Sequence, residues 1–407
     1  MTLAGDIIAE EGKLQLNGTA DVEALHLNSA DADSPAVIGV GGRATARTLA
    51  GGDNGGKLDI ASSGTLTLTG ATDGLSHTEI AGTGTLAIAE GASLGLAADS
   101  TLSGVVLDLG GALSLEADGS AGGLNGSGSL ELNGQTLQIQ AASGQTHTYE
   151  GTLGEGTLDI SGAGTQVLRS SGADTGLTIS GGNLVLQGKA DVDGARLSYG
   201  NLVNSGNLTI QASDNSLTAV NTTLSVENAS FSSGSATTFT LNTDADMTAS
   251  FIEVSGDVVI EDGASFHVTS IPDVNITWKS GNPMELTLME LTGNGTIDLG
   301  ENTLTVGGLF LTYYKNAHLV QEGDKVVLKA EEQTDNIYAG VADTANSMAG
   351  ANLLWDAARH GSIDQAVTDF LGALNNNMLN NPSAARRSLA AMAGSTVNAL
   401  GTAQRDA

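Results

Sequence analysis

Short alternating runs of apolar and polar residues dominate the chain. Gly64-Thr65-Leu66-Thr67-Leu68 sets the form, and it returns as Gly84-Thr85-Leu86-Ala87-Ile88, Gly111-Ala112-Leu113-Ser114-Leu115, Gly128-Ser129-Leu130-Glu131-Leu132, Gly156-Thr157-Leu158-Asp159-Ile160, Gly182-Asn183-Leu184-Val185-Leu186, Gly206-Asn207-Leu208-Thr209-Ile210 and Gly295-Thr296-Ile297-Asp298-Leu299. Each run sets two aliphatic side chains two positions apart, so one face of a short strand is apolar and the other is wet. A five-residue strand cannot bury its apolar face alone, and no helical pattern lies between the runs to cover a sheet, so the copies must stack on one another. The pattern predicts an all-β fold, a right-handed parallel β-helix (β-solenoid) over residues 1–333, followed by a short α-helical C-terminal segment over 334–407. At roughly twenty residues per coil the array would hold on the order of fifteen coils. With ~4.8 Å between stacked strands it would be ~70 Å long.

The alternation begins at Leu14-Gln15-Leu16. Residues 31–56 interrupt it with Ser34-Pro35, Gly41-Gly42 and Gly51-Gly52 and read as loops projecting from a coil. Over 57–226 the strands recur at irregular spacing, which suits a β-helix with corner loops of different length better than a propeller or a sandwich. Aromatic residues gather later: Phe231, Phe239, Phe251, Phe266 and Phe310 stand with Trp278 and Tyr313-Tyr314. Large rings bury more area than Leu or Ala, so the end at about 231–333 is expected to be the best packed and the last to unfold. Glu322-Gly323-Asp324, between His318-Leu319-Val320-Gln321 and Lys325-Val326-Val327-Leu328, predicts a hairpin that closes the array. Beyond Gln333 the period of two disappears. Helical spacing predicts helices over 339–358, 363–378 and 383–404, with Ser362 capping the second and Asn381-Pro382-Ser383 opening the third. Their apolar stripes are small, so this tail is expected to be mobile or docked on the solenoid end.

Composition changes the picture in two ways. The net charge of −31, from 46 acidic and 15 basic residues, excludes a nucleic-acid partner that needs clustered Lys and Arg, and argues against an anionic membrane surface. Such acidity keeps a long displayed protein soluble. The absence of cysteine points to an exported chain held together by a repetitive core. No signal peptide is evident at Met1-Thr2-Leu3-Ala4, so the chain is expected to be a fragment of a longer exported protein.

The order of these parts resembles the passenger of a bacterial autotransporter, the type V secretion class that carries its own C-terminal outer-membrane β-barrel. Residues 14–226 look like its β-helical stalk. The aromatic-rich block, with Met284-Glu285-Leu286-Thr287-Leu288-Met289-Glu290-Leu291 and then Ile297-Asp298-Leu299-Gly300, is similar to its autochaperone region. The tail through Ser388-Leu389-Ala390-Ala391-Met392-Ala393-Gly394-Ser395-Thr396 resembles the linker that precedes the barrel. The resemblance implies a monomer at the surface of a Gram-negative-type bacterium, anchored by a barrel absent from this sequence or released outside the cell. It implies adhesion or structural display, with host or neighbouring-cell glycans or proteins as partners.

No constellation of residues points to catalysis. The six histidines, His26, His77, His147, His267, His318 and His360, are scattered and lack metal-ligand spacing. Gly52-Asp53-Asn54-Gly55-Gly56 resembles a serine-protease nucleophile motif, but Asn54 is no nucleophile, and a turn is the better account. Asp244-Ala245-Asp246 reads as a solvated corner loop. The enzyme alternative is a β-helical polysaccharide lyase or glycoside hydrolase. Against it, Tyr149 and Tyr199 are the only aromatic residues before Phe231, whereas sugar grooves are commonly floored by exposed rings. The reading is therefore a non-enzymatic chain with no catalytic, cofactor-binding or metal-binding residues and no cofactor.

Overall fold

The computed structural model describes residues 5–31, 35–188, 196–211, 222–241, 251–270, 284–306, 313–360, 370, 371, 373–375, 377, 378 and 381–403. It is a parallel β-helix with a helical C-terminal segment. One sheet runs its whole length, fourteen strands from Ile7–Ala9 to Thr303–Val306, joined only by parallel pairings between successive coils. Thirteen steps of ~4.8 Å give a rod of roughly 62 Å, close to the length expected from sequence.

Two further faces complete each coil. One begins as five strands from Ala71–Leu75 to Thr152–Leu153 and resumes as a six-stranded sheet starting at Arg196–Ser198; between them, outside both sheets, Gly172 makes an isolated bridge to Tyr199. The other begins as five strands from Lys13–Leu16 to Thr101–Ser103 and continues as eight from Gly119–Ala121 to Ile297–Leu299. Gly104 N–H donates to Ser120 O across the junction at 3.0 Å.

Registration places like on like. In the long sheet one inward column reads Leu68, Ile88, Leu109, Gly126, Tyr149, Leu168, Leu186, Ile210, Phe239 and Val268, each residue paired with the next one coil on. The alternation seen in the sequence is the geometric condition for this, since a slip of one residue would turn every such side chain to water. Few cations are present, and most of those described tie coils one or two steps apart: Lys13 to Asp59 at 3.1 Å, Arg47 to Glu23 at 2.9 Å and Arg169 to Glu150 at 3.0 Å. Each exposed pair contributes only ~0–1 kcal/mol.

Most of the described part of 31–56 belongs to the array and does not project as loops. Val37–Val40 and Arg43–Gly51 are strands of the array, with Ile38, Val40, Ala44, Ala46 and Leu49 buried. Alanine takes inward positions there, at Ala44 and Ala46, and its low hydrophobic contrast hides the alternation. At the aromatic end Phe251 is only half-buried, whereas the rings on inward positions are enclosed. Phe231, Phe239 and Phe266 are fully buried, and Phe231 meets Phe266 edge to face at 5.5 Å between ring centroids. Trp278 and Phe310 lie outside the described residues.

Tyr314–Glu322 and Lys325–Glu332 form the closing hairpin around Gly323-Asp324, with Gly323 at φ 59°, a conformation glycine adopts without strain. The second strand pairs antiparallel with Met284–Leu291, reversing the direction in which further parallel coils would add. The first tail helix begins later than the spacing predicts. Ile337–Val341 is a 3₁₀ turn capped by Asn336, and α1, Ala345–His360, starts where Thr344 and Ser347 cap each other reciprocally. α2, Pro382–Ala403, opens on Asn381, whose Oδ1 accepts from Ala384 N–H at 3.2 Å; Ser362 lies outside the described residues. Tyr338, Leu354, Leu371, Leu374 and Leu389 are buried in a cluster continuous with the solenoid core, so the described part of the tail is docked.

Replacing Phe266 with Ala removes a fully buried ring from the centre of the aromatic end and should lower stability by ~3–5 kcal/mol in denaturant unfolding. A loss below ~1 kcal/mol would contradict the packing described.

Candidate functional site

A cleft on the described surface arises from mismatched coil lengths. Eighteen residues separate the paired Thr165 and Asn183 on the long sheet, against twenty-nine between Asn207 and Ala236. The short coil has no strand on the face where Gly172 makes its isolated bridge, so the corner beside it is indented. The resulting cleft of about 600 Å³ is walled by Glu155, Asp174, Asn201 and Glu227, with Gly156, Gly176 and Gly200 among its small lining residues. A second hollow of about 240 Å³ adjoins it, sharing Glu227 and lined by Ser198, Ser225, Glu253 and Thr292.

The wall is positioned by a polar ladder that climbs the corner. Asn228 Nδ2 donates to Asn201 Oδ1 at 2.8 Å, Asp257 N–H donates to Asn228 Oδ1 at 2.8 Å, and Thr296 N–H and hydroxyl donate to Asp257 Oδ1 at 2.8 and 3.0 Å. These residues precede successive strands of the third face, so the stacking that builds the core repeats them one coil apart. Glu155, Asp174 and Glu227 are exposed; their backbone carbonyls accept from the N–H groups of Gly134, Gly156 and Gly256, and among the described residues no hydrogen bond or ion pair reaches their carboxylates. In the smaller hollow, Glu253 is bidentate to Arg196 and accepts from Ser225 Oγ at 3.1 Å. The guanidinium holds the Glu253 carboxyl below the usual carboxylate range.

Chemically, the larger cleft is rich in acceptors and holds no cation, ring or imidazole among its lining residues. It suits ligands bearing hydroxyl or ammonium donors. Among the described residues no three of His, Cys, Asp and Glu come together as a metal ion would require.

The residues weighed from sequence fall elsewhere. Gly52-Asp53-Asn54-Gly55 is a turn, closed by Gly55 N–H to Gly52 O at 2.9 Å, and Asn54 Nδ2 donates to Ser29 O at 3.0 Å. His26 and His77 stand beside Asp6 and Asp99 at 3.6 and 3.1 Å, far apart in the array. Tyr149 and Tyr199 are core residues, their hydroxyls donating to corner carbonyls at Gly128, Thr152 and Ser170. Asp244 and Asp246 lie outside the described residues. Sequence reading missed Glu155, Asp174, Asn201 and Glu227. The signal, one polar residue just ahead of successive strands, is diluted among 46 carboxylates. No described helix is long and apolar enough to cross a membrane.

No protein-family model matches the chain, and no curated protein matches it.

A carboxylate with a lowered pKa contributes stability that is present above its unfolded value, about 4.5, and is lost as pH falls through the folded one. Glu253→Gln should therefore reduce stability at pH 7, and the difference from the parent should close as pH falls below about 4 in urea titrations. A difference constant over that range would show that Arg196 gains nothing from the charge.

Proposed function

We propose that this chain is the passenger of a bacterial autotransporter: a non-enzymatic β-helical stalk displayed at the cell surface for adhesion or for contact with host or neighbouring-cell glycans or proteins. The observation that carries the reading is the polarity of the array. Among the described residues fourteen strands stack in one direction with no helix between them, and the C-terminal end is closed by an antiparallel hairpin followed by docked helices. A rod that begins to fold at a sealed, aromatic-packed end and adds coils outward suits a protein that leaves a membrane C-terminus last. In this reading the helical segment leads towards the barrel that anchors the chain, and the stalk's outer faces, paved with Thr, Ser, Asn and Asp, are the display surface.

A β-helical polysaccharide lyase or glycoside hydrolase is the second reading, favoured by one observation, the three unpartnered carboxylates of the 600 Å³ cleft. Adhesion uses the same cleft, or any other face, without turnover.

Protease treatment of intact cells expressing the full-length gene should remove stalk epitopes while leaving a periplasmic marker intact. Stalk epitopes that are lost only after lysis would overturn surface display. Purified chain on a glycan array, run beside an activity screen on uronate polysaccharides and mucin, separates the two chemistries. Binding without product supports the stalk, whereas new reducing or unsaturated ends that disappear in Glu155→Gln or Asp174→Asn would establish the enzyme.

A further inference from the structure

The long sheet is interrupted at one step. Between Gly123–Gly126 and Thr146–Tyr149 only Gly126 and Tyr149 remain paired, whereas the coil before it registers four residues against four, and so does the coil after. The gap is filled from the next coil. Gln166, fully buried, accepts the Leu124 N–H on Oε1 at 3.1 Å, and its Nε2 donates to Leu124 O at 2.8 Å and to His147 O at 3.3 Å. A side-chain amide thus stands in for the strand backbone that His147 would have supplied, reaching across 42 residues of sequence.

His147 is displaced onto the preceding strand. Its ring lies where a Cβ on Gly123 would be, 2.2 Å from the nearest ring atom, so only glycine fits beneath it. Nδ1 meets Asn125 Nδ2 at 3.1 Å, an amide donor, which makes Nδ1 the acceptor and leaves the proton on Nε2. Nε2 is buried and has no hydrogen-bond partner. Protonation would place a donor on Nδ1 against the Asn125 amide donor and a cation in a pocket with no acceptor for it.

We propose that this coil is an acid-opened joint in the stalk: protonation of His147 releases the Gln166 splice and separates the strands on either side, while the rest of the rod stays closed. The ionisable groups around the ring do not offer it an anion. On the preceding coils Asp108 stands in register with Asn125, Tyr149 on the ring's own strand is engaged through its hydroxyl, and Glu150 and Arg169 beyond are paired with each other. Burial alone pushes the imidazole below its ordinary 6.5, with no charged neighbour contributing. The folded form therefore favours the neutral ring. Its stability is complete above 6.5 and falls as pH drops below it, the sign required for opening in acid.

Hydrogen exchange of the full chain, resolved by peptide and corrected for the intrinsic pH dependence, tests this. Opening at pH 5 should increase exchange at Leu124 and Thr148 relative to pH 8 by up to about thirtyfold, the protonation advantage of an exposed imidazole with pKa near 6.5. Peptides from 57–100 should not change. His147→Asn, which keeps the acceptor and cannot titrate, should abolish the ratio, and Gln166→Leu should raise exchange at Leu124 at both pH values. Acid-enhanced exchange spread evenly along the rod, or an unchanged ratio in His147→Asn, would overturn the proposal. So would a flat ratio in the parent, a result that needs no variant to fold.

Discussion

Everything in this molecule depends on the parallel backbone ladder between one coil and the next. A strand in the array has no partner within its own coil, so its N–H and C=O groups are satisfied only if the neighbouring coil presents a strand at the same height and in the same register. That requirement forces like side chains into columns, and the columns form the core. Core packing is therefore a consequence of the hydrogen-bond ladder, which explains why coils of eighteen and twenty-nine residues coexist: the ladder constrains only the strands, and surplus residues leave at the corners.

The same constraint shows what polar residues do when they enter the core. Tyr149 and Tyr199 carry their hydroxyls to corner carbonyls, so the rings fill volume without leaving a donor unpaired. Asn204 faces inward and bonds Thr237 and the carbonyl of Ala236 on the next coil. Gln166 goes further and repairs a ladder that has lost a rung. In each case the cost of burying a polar group is offset because the neighbouring coil holds a complementary atom one strand spacing away.

Much of the fold was legible because the period of two is a local signal. Leu66 and Leu68, or Leu184 and Leu186, announce a strand without reference to anything else. Where the inward residue was alanine, as at Ala44 and Ala46, the same strand read as loop, since alanine carries too little hydrophobic contrast. The hairpin at Gly323-Asp324 was readable from its turn residues, but the break between Val341 and Ala345 was not, because it depends on Thr344 and Ser347 capping one another in three dimensions. The cleft was illegible for a deeper reason. Glu155, Asp174 and Glu227 are unremarkable in the sequence, and what gathers them is a difference in length between coils stacked tens of residues apart. His147, likewise, is only one of six scattered histidines in the sequence and Gln166 carries no signal there, until the next coil is laid on top.

The pairing of scarce cations with carboxylates one or two coils away has a consequence for how such rods meet one another. Up to residue 333 the chain carries 40 acidic and 11 basic residues, leaving −29. Spread over a length of ~62 Å this is about one uncompensated charge per 2 Å, a linear density close to that of duplex DNA. A rod so charged gathers a sheath of condensed counterions. Two of them laid side by side repel at low ionic strength and approach only when salt, or a multivalent cation shared between them, replaces that sheath. Spacing within a crowded layer of such rods would then be set by the ionic medium.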